Sequence, residues 1–219
     1  MSGDEYIRGR HVTMRPAGPE DGRTILDWLY RSDVTPSMLG PPLYPERSVP
    51  SPGEDGGGYE PHYFDGSAPE LGRCYLILAG GEPVGQVSYN DISEYGGRRR
   101  TELDIWMRSE SFCGRRYGTD ALDALCRHLH DRLGVVEFLV QPSARNPRAI
   151  RAYERAGFRF FKTIQVPGEP EPEYLMPWTT CSWRGRTASS REDLPRDHSW
   201  KATSRALPKT VSRPRGSTR

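Results

Sequence analysis

The stretch that decides the fold covers residues 146–158 and reads NPRAIRAYERAGF. Asn146 followed by Pro147 is typical of a helix start, because Asn caps free N–H groups and Pro suits the first helical position. On such a helix Asn146, Ala149 and Tyr153 share one face. Two interpretations remain open: this face lines a ligand, or Tyr153 is a core aromatic residue and Asn146 only a cap.

A second informative stretch, residues 113–120, reads CGRRYGTD. It joins a predicted strand ending near Met107 to a predicted helix at residues 119–133. Glycines allow a tight turn, and the free N–H groups at a helix N-terminus attract phosphate. Arg115 and Arg116 add positive charge at that place. The turn is therefore a candidate pyrophosphate site, with a purely structural turn as the alternative.

Alternating and helical patterns around these two stretches predict the fold class. Antiparallel strands come first, followed by strand–helix–strand–helix–strand, which indicates an α/β (α+β) domain with a mixed, mostly antiparallel sheet and flanking helices. The predicted strands cover residues 12–16, 74–79, 84–89, 101–107, 135–140 and 158–166, and the predicted helices cover residues 20–30, 119–133 and 147–156.

Two regions lack a pattern. Residues 36–66 are rich in Pro and Gly and are predicted to be a long loop. Residues 184–219 are rich in Ser, Thr, Arg and Pro and are predicted to be a disordered basic tail. The domain is therefore expected to span residues 1–183. A basic tail is typical of a solvated segment, and a nucleic-acid or membrane role is the alternative.

Composition excludes several classes of protein. The formal net charge of the 219 residues is +2, which is too small to predict nucleic-acid binding. No apolar run approaches a membrane span and the start is polar, so we expect a cytoplasmic protein without membrane association. Cysteines form no CxxC pair and lack metal-ligand spacing, which predicts free thiols and no metal. They are Cys74, Cys113, Cys126 and Cys181.

The two stretches together resemble the GNAT superfamily of N-acetyltransferases. Residues 146–158 are similar to motif B of that family, in which Asn, Ala, Tyr and a Gly-Phe pair recur at these spacings. The turn from Gly114 to Gly118 resembles motif A, and the resemblance covers roughly residues 12–178. Within the family the chain is most similar to the aminoglycoside 6'-N-acetyltransferase branch. The supporting segments are residues 12–15, 28–32, 81–85 and 147–151.

The resemblance implies a GNAT fold and the direct transfer of an acetyl group from acetyl-CoA to a small-molecule amine, without a metal. Backbone groups of the strand before the turn would hold the pantetheine arm and the thioester carbonyl. N–H groups of the turn would hold the pyrophosphate. The residues expected to bind acetyl-CoA are Ile105, Trp106, Met107, Gly114, Arg115, Arg116, Tyr117, Gly118, Thr119, Asn146, Ala149 and Tyr153.

The resemblance also implies catalytic roles. The attacking amine must lose a proton, so a general base is required. Asp104 precedes Gly114 at the distance where the aminoglycoside branch carries its acidic catalytic residue. A surface Asp on a strand is the alternative. Tyr153 would hydrogen-bond or protonate the departing thiolate. The residues expected to bind the acceptor are Tyr89, Asp91, Asp104, Gln141 and Glu169.

Four features depart from the family pattern. Motif A has Cys113 in place of Arg or Gln, and Arg116 in place of Gly, which strains a backbone that needs positive φ. Gln141 replaces an acidic residue, so binding of a polycationic acceptor would depend on the acidic run at residues 169–173, which is equally compatible with a solvated turn. The usual helix after the first one is not evident. The last strand, residues 174–178, looks cut short, and these departures predict a divergent or truncated member.

Three functions therefore remain open. The first is acetylation of a small amine, including an aminoglycoside-like antibiotic. The second is acetylation of a protein N-terminus or lysine. The third is a degenerate GNAT-fold protein without activity. A monomer or homodimer is expected, and neither a membrane nor nucleic acid is an expected partner.

Overall fold

A computed structural model of the protein describes residues 6–39, 60–165 and 172–179. These residues form a nine-stranded sheet with the strand order β1-β2-β3-β4-β6-β7-β9-β8, and β5 pairs with β6 outside this row. The strands are β1 (Ile7–Arg8), β2 (Thr13–Pro16), β3 (Gly72–Ala79), β4 (Glu82–Asn90), β5 (Ser93–Tyr95), β6 (Arg98–Met107), β7 (Val135–Val140), β8 (Lys162–Ile164) and β9 (Glu173–Thr179). The helices are α1 (Gly22–Arg31), α2 (Thr35–Leu39), α3 (His62–Asp65), α4 (Tyr117–Leu133) and α5 (Pro147–Arg155).

The sheet is mixed because one strand pair is parallel. Within the described ranges, β6 and β7 run parallel and every other strand pair is antiparallel. Parallel neighbours need a long crossover connection, and α4 supplies it. The predicted mixed, mostly antiparallel sheet with flanking helices is confirmed.

One face of the sheet, called the α4 face below, is covered by α4 and α5. Leu122, Leu125 and Leu129 form the buried stripe of α4 and are at most 1% exposed. Truncating one such leucine to alanine costs about 2–5 kcal/mol, because a cavity remains. Gly134 ends α4 with φ 66°, and its N–H donates to the carbonyl of His130. The left-handed cap that the sequence predicts at this glycine is confirmed.

The opposite face, called the α1 face, is covered by α1 and α3. Ile25, Leu26 and Leu29 of α1 are fully buried. They pack in one cluster with Leu76 and Trp106 from the sheet. The sheet is therefore covered on both sides over its central strands, which explains why β3 and β4 read as nearly continuous buried runs.

The predicted loop over residues 36–66 is wrong at both ends. At its start, α2 follows α1 directly, and the Thr35 hydroxyl donates to the carbonyl of Leu29 at 2.7 Å. At its end, α3 inserts Tyr63 and Phe64 into the core, where they are 6% and 3% exposed. Prolines at helix starts do not break a helix, since the first turn needs no N–H donor there. Residues 40–59 lie outside the described residues.

The predicted strand at residues 158–166 is too long, because β8 covers only its central part. Gly157 has φ 102°, and a Cβ there would lie 2.6 Å from Nε1 of Trp178. This glycine turn sends Phe158 into the core, where its ring lies 5.9 Å from that of Tyr153. Between this turn and β8, the N–H groups of Arg159 and Phe161 still donate to carbonyls of β9, at 3.1 and 3.0 Å.

The last strand is more complete than the sequence suggested. β9 pairs with β7 along one edge and with β8 along the other, and Thr179 still pairs with Glu137. Leu175 and Met176 in this strand are fully buried. The strand expected to be cut short therefore covers the edge of β7. Residues 184–219 lie outside the described residues, so the boundary at residue 183 and the disordered tail stay predictions.

Candidate functional site

The central feature of the site is a split between the two parallel strands. β6 pairs with β7 from Arg99 to Glu102, and no further pairing of these two strands follows in the described structure. The next part of β6, from Leu103 to Met107, is held by β4 along its other edge. A strand edge without a partner presents backbone N–H and C=O groups that a ligand can use. The split therefore forms an open slot in the middle of the sheet.

The turn after β6 lies at the mouth of this slot. Gly118, in the first turn of α4, approaches the side chains of Ile105 and Met107, since a Cβ there would lie 3.4 Å from Ile105 Cδ1. Gly114 has φ 75° and nothing lies within 4 Å of the position of a Cβ. The turn thus offers open space beside its backbone, as a bound phosphate requires.

Arg116 confirms the strain that the sequence predicted in this turn. It has φ 67° and ψ 2° and caps the N-terminus of α4. Among the described residues it is the one non-glycine residue with positive φ. A left-handed conformation costs a residue with a side chain about 1–2 kcal/mol. Arg116 therefore stands at a backbone position that glycine would adopt without strain, and this is the position where motif A has glycine.

The start of α5 lies next to the connection that follows β6. Oδ1 of Asn146 accepts the N–H of Ala149 at 3.1 Å, so the predicted N-cap is confirmed. Arg148 on the same helix pairs with Glu110, in the connection after β6, at 2.5 Å. This ion pair ties the start of α5 to the turn between β6 and α4. Ala149 is half-buried and packs on the core of the α4 face.

Tyr153 is buried in the core of the α4 face, where the charge of Asp104 acts on it. Tyr153 is 6% exposed and its ring packs edge-on against Phe158. Burial raises the pKa of Tyr153 above its usual range, and the charges of Asp104 and Glu102 raise it further. The phenol is therefore neutral at physiological pH and keeps its proton. Tyr153 is therefore a core aromatic residue, as one of the two interpretations predicts, and its role toward a ligand stays a prediction.

Asp104 lies at the centre of a polar patch on the α1 face. It is half-buried, and its Oδ1 accepts the N–H of Ile105 at 3.0 Å. Ser88 is its direct partner on β4, and directly opposed residues in an antiparallel pair point to the same face. Glu102 and Asn90 alternate along their strands onto this face as well. We call Ser88, Asn90, Glu102 and Asp104 the acceptor patch.

Several donors in and beside the acceptor patch lack a partner. Oγ of Ser88, Nδ2 of Asn90 and Nε2 of Gln86 are buried without a hydrogen bond. The Tyr63 hydroxyl donates to Oδ1 of Asn90 at 3.1 Å. Burial raises the pKa of Tyr63, and the charge of Asp91 adds to the rise. Buried polar groups usually find partners, so these atoms indicate a place for water or a ligand.

Tyr89 and Asp104 point to opposite faces of the sheet. Tyr89 was expected to bind the acceptor, yet its side chain lies in the core of the α4 face and its hydroxyl donates to the carbonyl of Pro69 at 2.9 Å. Its neighbours Ser88 and Asn90 lie on the face of Asp104 and are candidates that the sequence did not indicate. Strict alternation from Asp104 through the β4–β6 register would have found them, but the register is not visible in one sequence.

The other expected acceptor residues are dispersed. Asp91 is exposed at the end of β4, next to the acceptor patch in sequence. Gln141 follows β7 and is half-buried, and its Oε1 has no hydrogen-bond partner. Glu169 lies outside the described residues. Glu173, the last residue of the acidic run, is buried at 6% exposure in β9 and is not part of a solvated turn.

The remaining predicted residues divide between turn and core. Arg115 and Arg116 are exposed, while Tyr117 and Thr119 are half-buried. Trp106 is 3% exposed and packs on the α1 face, so only its backbone faces the slot region. The described residues contain no group of three or more His, Cys, Asp or Glu side chains able to hold a metal ion. Cys74, Cys113 and Cys126 are free thiols, and Cys181 lies outside the described residues.

Comparison with known proteins agrees with this geometry. Residues 11–159 match the acetyltransferase (GNAT) domain family, so the chain belongs to that family of acetyltransferases. It is 29% identical to an aminoglycoside N(6')-acetyltransferase type 1 from Klebsiella pneumoniae, over 73% of this chain and 79% of the relative. A protein of the same name from Serratia marcescens is equally similar.

Solved structures show the same fold. AAC(6')-Ib, in complex with ribostamycin and coenzyme A, superposes with a TM-score of 0.63 at 24% identity, over 82% of this chain and 99% of that one. RimL, a ribosomal alpha-N-protein acetyltransferase in complex with coenzyme A, superposes with a TM-score of 0.61 at 18% identity, over 80% and 98% of the two chains. No helix in the described ranges is long and apolar enough to cross a membrane.

Proposed function

We propose that this protein transfers the acetyl group of acetyl-CoA to an amine of a small, cationic molecule of the aminoglycoside type. The observation that carries the proposal is the open edge of β6 from Leu103 to Met107, with the phosphate-compatible turn at one end and Asp104 within it. An extended thioester arm can pair with this edge and end beside the acceptor patch.

The residues present fit the co-substrate. The backbone of Ile105, Trp106 and Met107 would hold the pantetheine arm, and Asn146 at the start of α5 would contact the same arm. N–H groups from Arg115 to Thr119 would hold the pyrophosphate at the N-terminus of α4. The open space beside Gly114 supports this placement, because no side chain fills it.

Asp104 is the proposed general base. The ammonium group of the acceptor must lose a proton before its nitrogen attacks the thioester carbonyl, and Asp104 takes that proton directly or through one water. Its present bond to the Ile105 N–H occupies one carboxylate oxygen. Ser88, its partner across the strand pair, lies on the side from which the acceptor would approach.

Tyr153 is the proposed donor to the departing thiolate. A thiol has an unperturbed pKa of about 8.5 and a tyrosine one of about 10, so full proton transfer from the phenol is uphill. Because the pKa of Tyr153 is raised further by burial, the phenol stabilises the thiolate by a hydrogen bond rather than by giving up its proton. After the attack, the nitrogen loses its second proton to solvent and the C–S bond breaks as the tetrahedral intermediate collapses. The proton that the sulfur finally takes comes from solvent.

The acceptor patch supports an amine that carries hydroxyl groups. Glu102, Asp104 and the adjacent Asp91 supply negative charge for ammonium groups. The buried donors on Ser88 and Asn90 suit hydroxyl or ether oxygens. The curated relatives named above support the aminoglycoside class. Similarity to RimL supports a second candidate, a protein N-terminus, whose acetylation would need a peptide-wide cleft.

Calorimetry with acetyl-CoA tests the proposal first, with the native protein and Arg116→Gly side by side. Micromolar binding by the native protein supports it and justifies measuring thiol release with a panel of amines, aminoglycosides first and N-terminal peptides second. Binding by Arg116→Gly alone would indicate a degenerate protein that has lost its cofactor site. If neither protein binds although both unfold cooperatively on heating, the acetyl-transfer proposal is wrong.

A further inference from the structure

An open cavity of about 320 Å³ adjoins the turn at the start of α4. Three separate elements line it. Arg10 and His11 come from the connection between β1 and β2, Arg116 and Thr119 from the start of α4, and Arg155 from the end of α5. Arg116 therefore belongs both to the turn proposed to hold the pyrophosphate and to this cavity. The two places are continuous along the surface.

Arginines outnumber carboxylates in the cavity wall, which gives the cavity an excess of positive charge. Arg10, Arg116 and Arg155 form no ion pair within the part of the chain that the structure describes. Both carboxylates of the cavity wall are engaged elsewhere. Asp123 pairs with a neighbouring arginine of α4 at 2.9 Å. Asp120 accepts three backbone N–H groups from the connection between β1 and β2.

The conformation of Arg116 is a second, independent observation. A glycine would relieve the left-handed backbone at φ 67°, yet an arginine stands there with an exposed side chain at the cavity. Strained backbone of this kind persists where the side chain has a task. An arginine side chain at a cavity in which arginines outnumber carboxylates is suited to a phosphate group, which it can bind through two parallel hydrogen bonds.

Coenzyme A carries such a phosphate beyond its pyrophosphate, on the 3'-oxygen of the ribose. We propose that Arg116 and Arg155, with Arg10 across the cavity, clamp this 3'-phosphate, so that the protein discriminates coenzyme A from its 3'-dephosphorylated form. This inference rests on the proposed function, since it assumes that the pyrophosphate lies on the turn. Arg116, which stands in place of the glycine of motif A, would then make the protein specific for coenzyme A and would not abolish cofactor binding.

Calorimetry with two ligands tests the clamp in the full chain: acetyl-CoA and acetyl-dephospho-CoA, which differ only in the 3'-phosphate. The native protein is expected to prefer acetyl-CoA by about tenfold or more, because one charge-assisted hydrogen bond contributes that much. Arg155→Ala should lose most of this preference. Arg151→Ala is the matched control, since Arg151 is an exposed arginine of the same helix that does not line the cavity.

The outcomes separate the clamp from the proposed function. Equal affinity of the native protein for both ligands would overturn the clamp and leave acetyl transfer intact. An equal loss of preference in Arg155→Ala and Arg151→Ala would also overturn it, because general charge attraction would then explain the preference. Failure of the folded protein to bind either ligand would overturn the proposed function itself, and the clamp with it.

Discussion

Ser88 on β4 and Asp104 on β6 are direct cross-strand partners on the α1 face of the sheet, beside the point where β6 loses its parallel neighbour. The hydroxyl of Ser88 is buried without a hydrogen-bond partner. This pair is the part of the site where we propose that an amine is deprotonated.

Replacement of Asp104 tests this assignment. Asp104→Asn keeps the size of the side chain and removes the base, so kcat should fall by about 10²- to 10⁴-fold. The Kd of acetyl-CoA should stay unchanged, because the carboxylate does not hold the cofactor. Asp91→Asn, at the exposed end of β4, is the matched control and should raise KM for a cationic acceptor with little change in kcat. Full kcat in Asp104→Asn would show that another group is the base.

The buried tyrosines predict a loss of stability at alkaline pH. Burial raises the pKa of Tyr63, Tyr89 and Tyr153 in the folded state. In the unfolded chain these phenols ionise near pH 10, so above that pH the folded state binds more protons and stability falls as pH rises. Urea denaturation between about pH 8 and 11 measures the slope. Tyr153→Phe should make the slope shallower, and an unchanged slope would contradict the assignment.

Asp120 lies outside the proposed catalytic residues, and its replacement should strongly lower the free energy of unfolding. Its carboxylate accepts the N–H groups of Arg10, His11 and Val12 at 2.7–3.1 Å and joins the start of α4 to the first strands. Asp120→Asn places an amide donor against these donors, which should lower the free energy of unfolding by about 3 kcal/mol. Asp123→Asn, which removes only a surface ion pair, should cost about 0.5 kcal/mol or less. If urea denaturation gave equal losses for the two variants, the hydrogen bonds of Asp120 to the first strands would not stabilise the fold.

Arg116→Gly should stabilise the protein. Glycine adopts the left-handed region without steric cost, so the free energy of unfolding should rise by about 1 kcal/mol. Arg115→Gly is the control, since Arg115 is an exposed neighbour without positive φ, and it should bring no gain. Differential scanning calorimetry of both variants gives the comparison. If both variants, or neither of them, were more stable than the native protein, the backbone at Arg116 would not be strained.

Removal of the basic tail should leave the fold intact. A chain ending at Trp183 retains β9, which completes the pairing of β7 and β8. Its melting temperature should match that of the full chain within about 2 °C, because each kcal/mol shifts the melting temperature by roughly 2–4 °C in a chain of this size. A larger drop would show that residues beyond 183 pack on the domain.

The sequence by itself determined the local structures. The cap at Asn146, the ends of α4 and α5 at glycines, the buried stripe of α4 and the strained Arg116 all follow from short-range chemistry, and the two motifs predicted the family. These features depend on residues within one or two turns of the chain, so a single sequence displays them.

Tertiary structure alone decided how those pieces meet. The β4–β6 register places Ser88, not Tyr89, beside Asp104, and a shift of one residue would have reversed that choice. Packing of Tyr63 and Phe64 stabilises a helix in a Pro-rich segment. The cavity that joins Arg10, Arg116 and Arg155 brings together residues far apart in the chain. Such contacts depend on the burial of distant side chains against one another, and no local pattern records them.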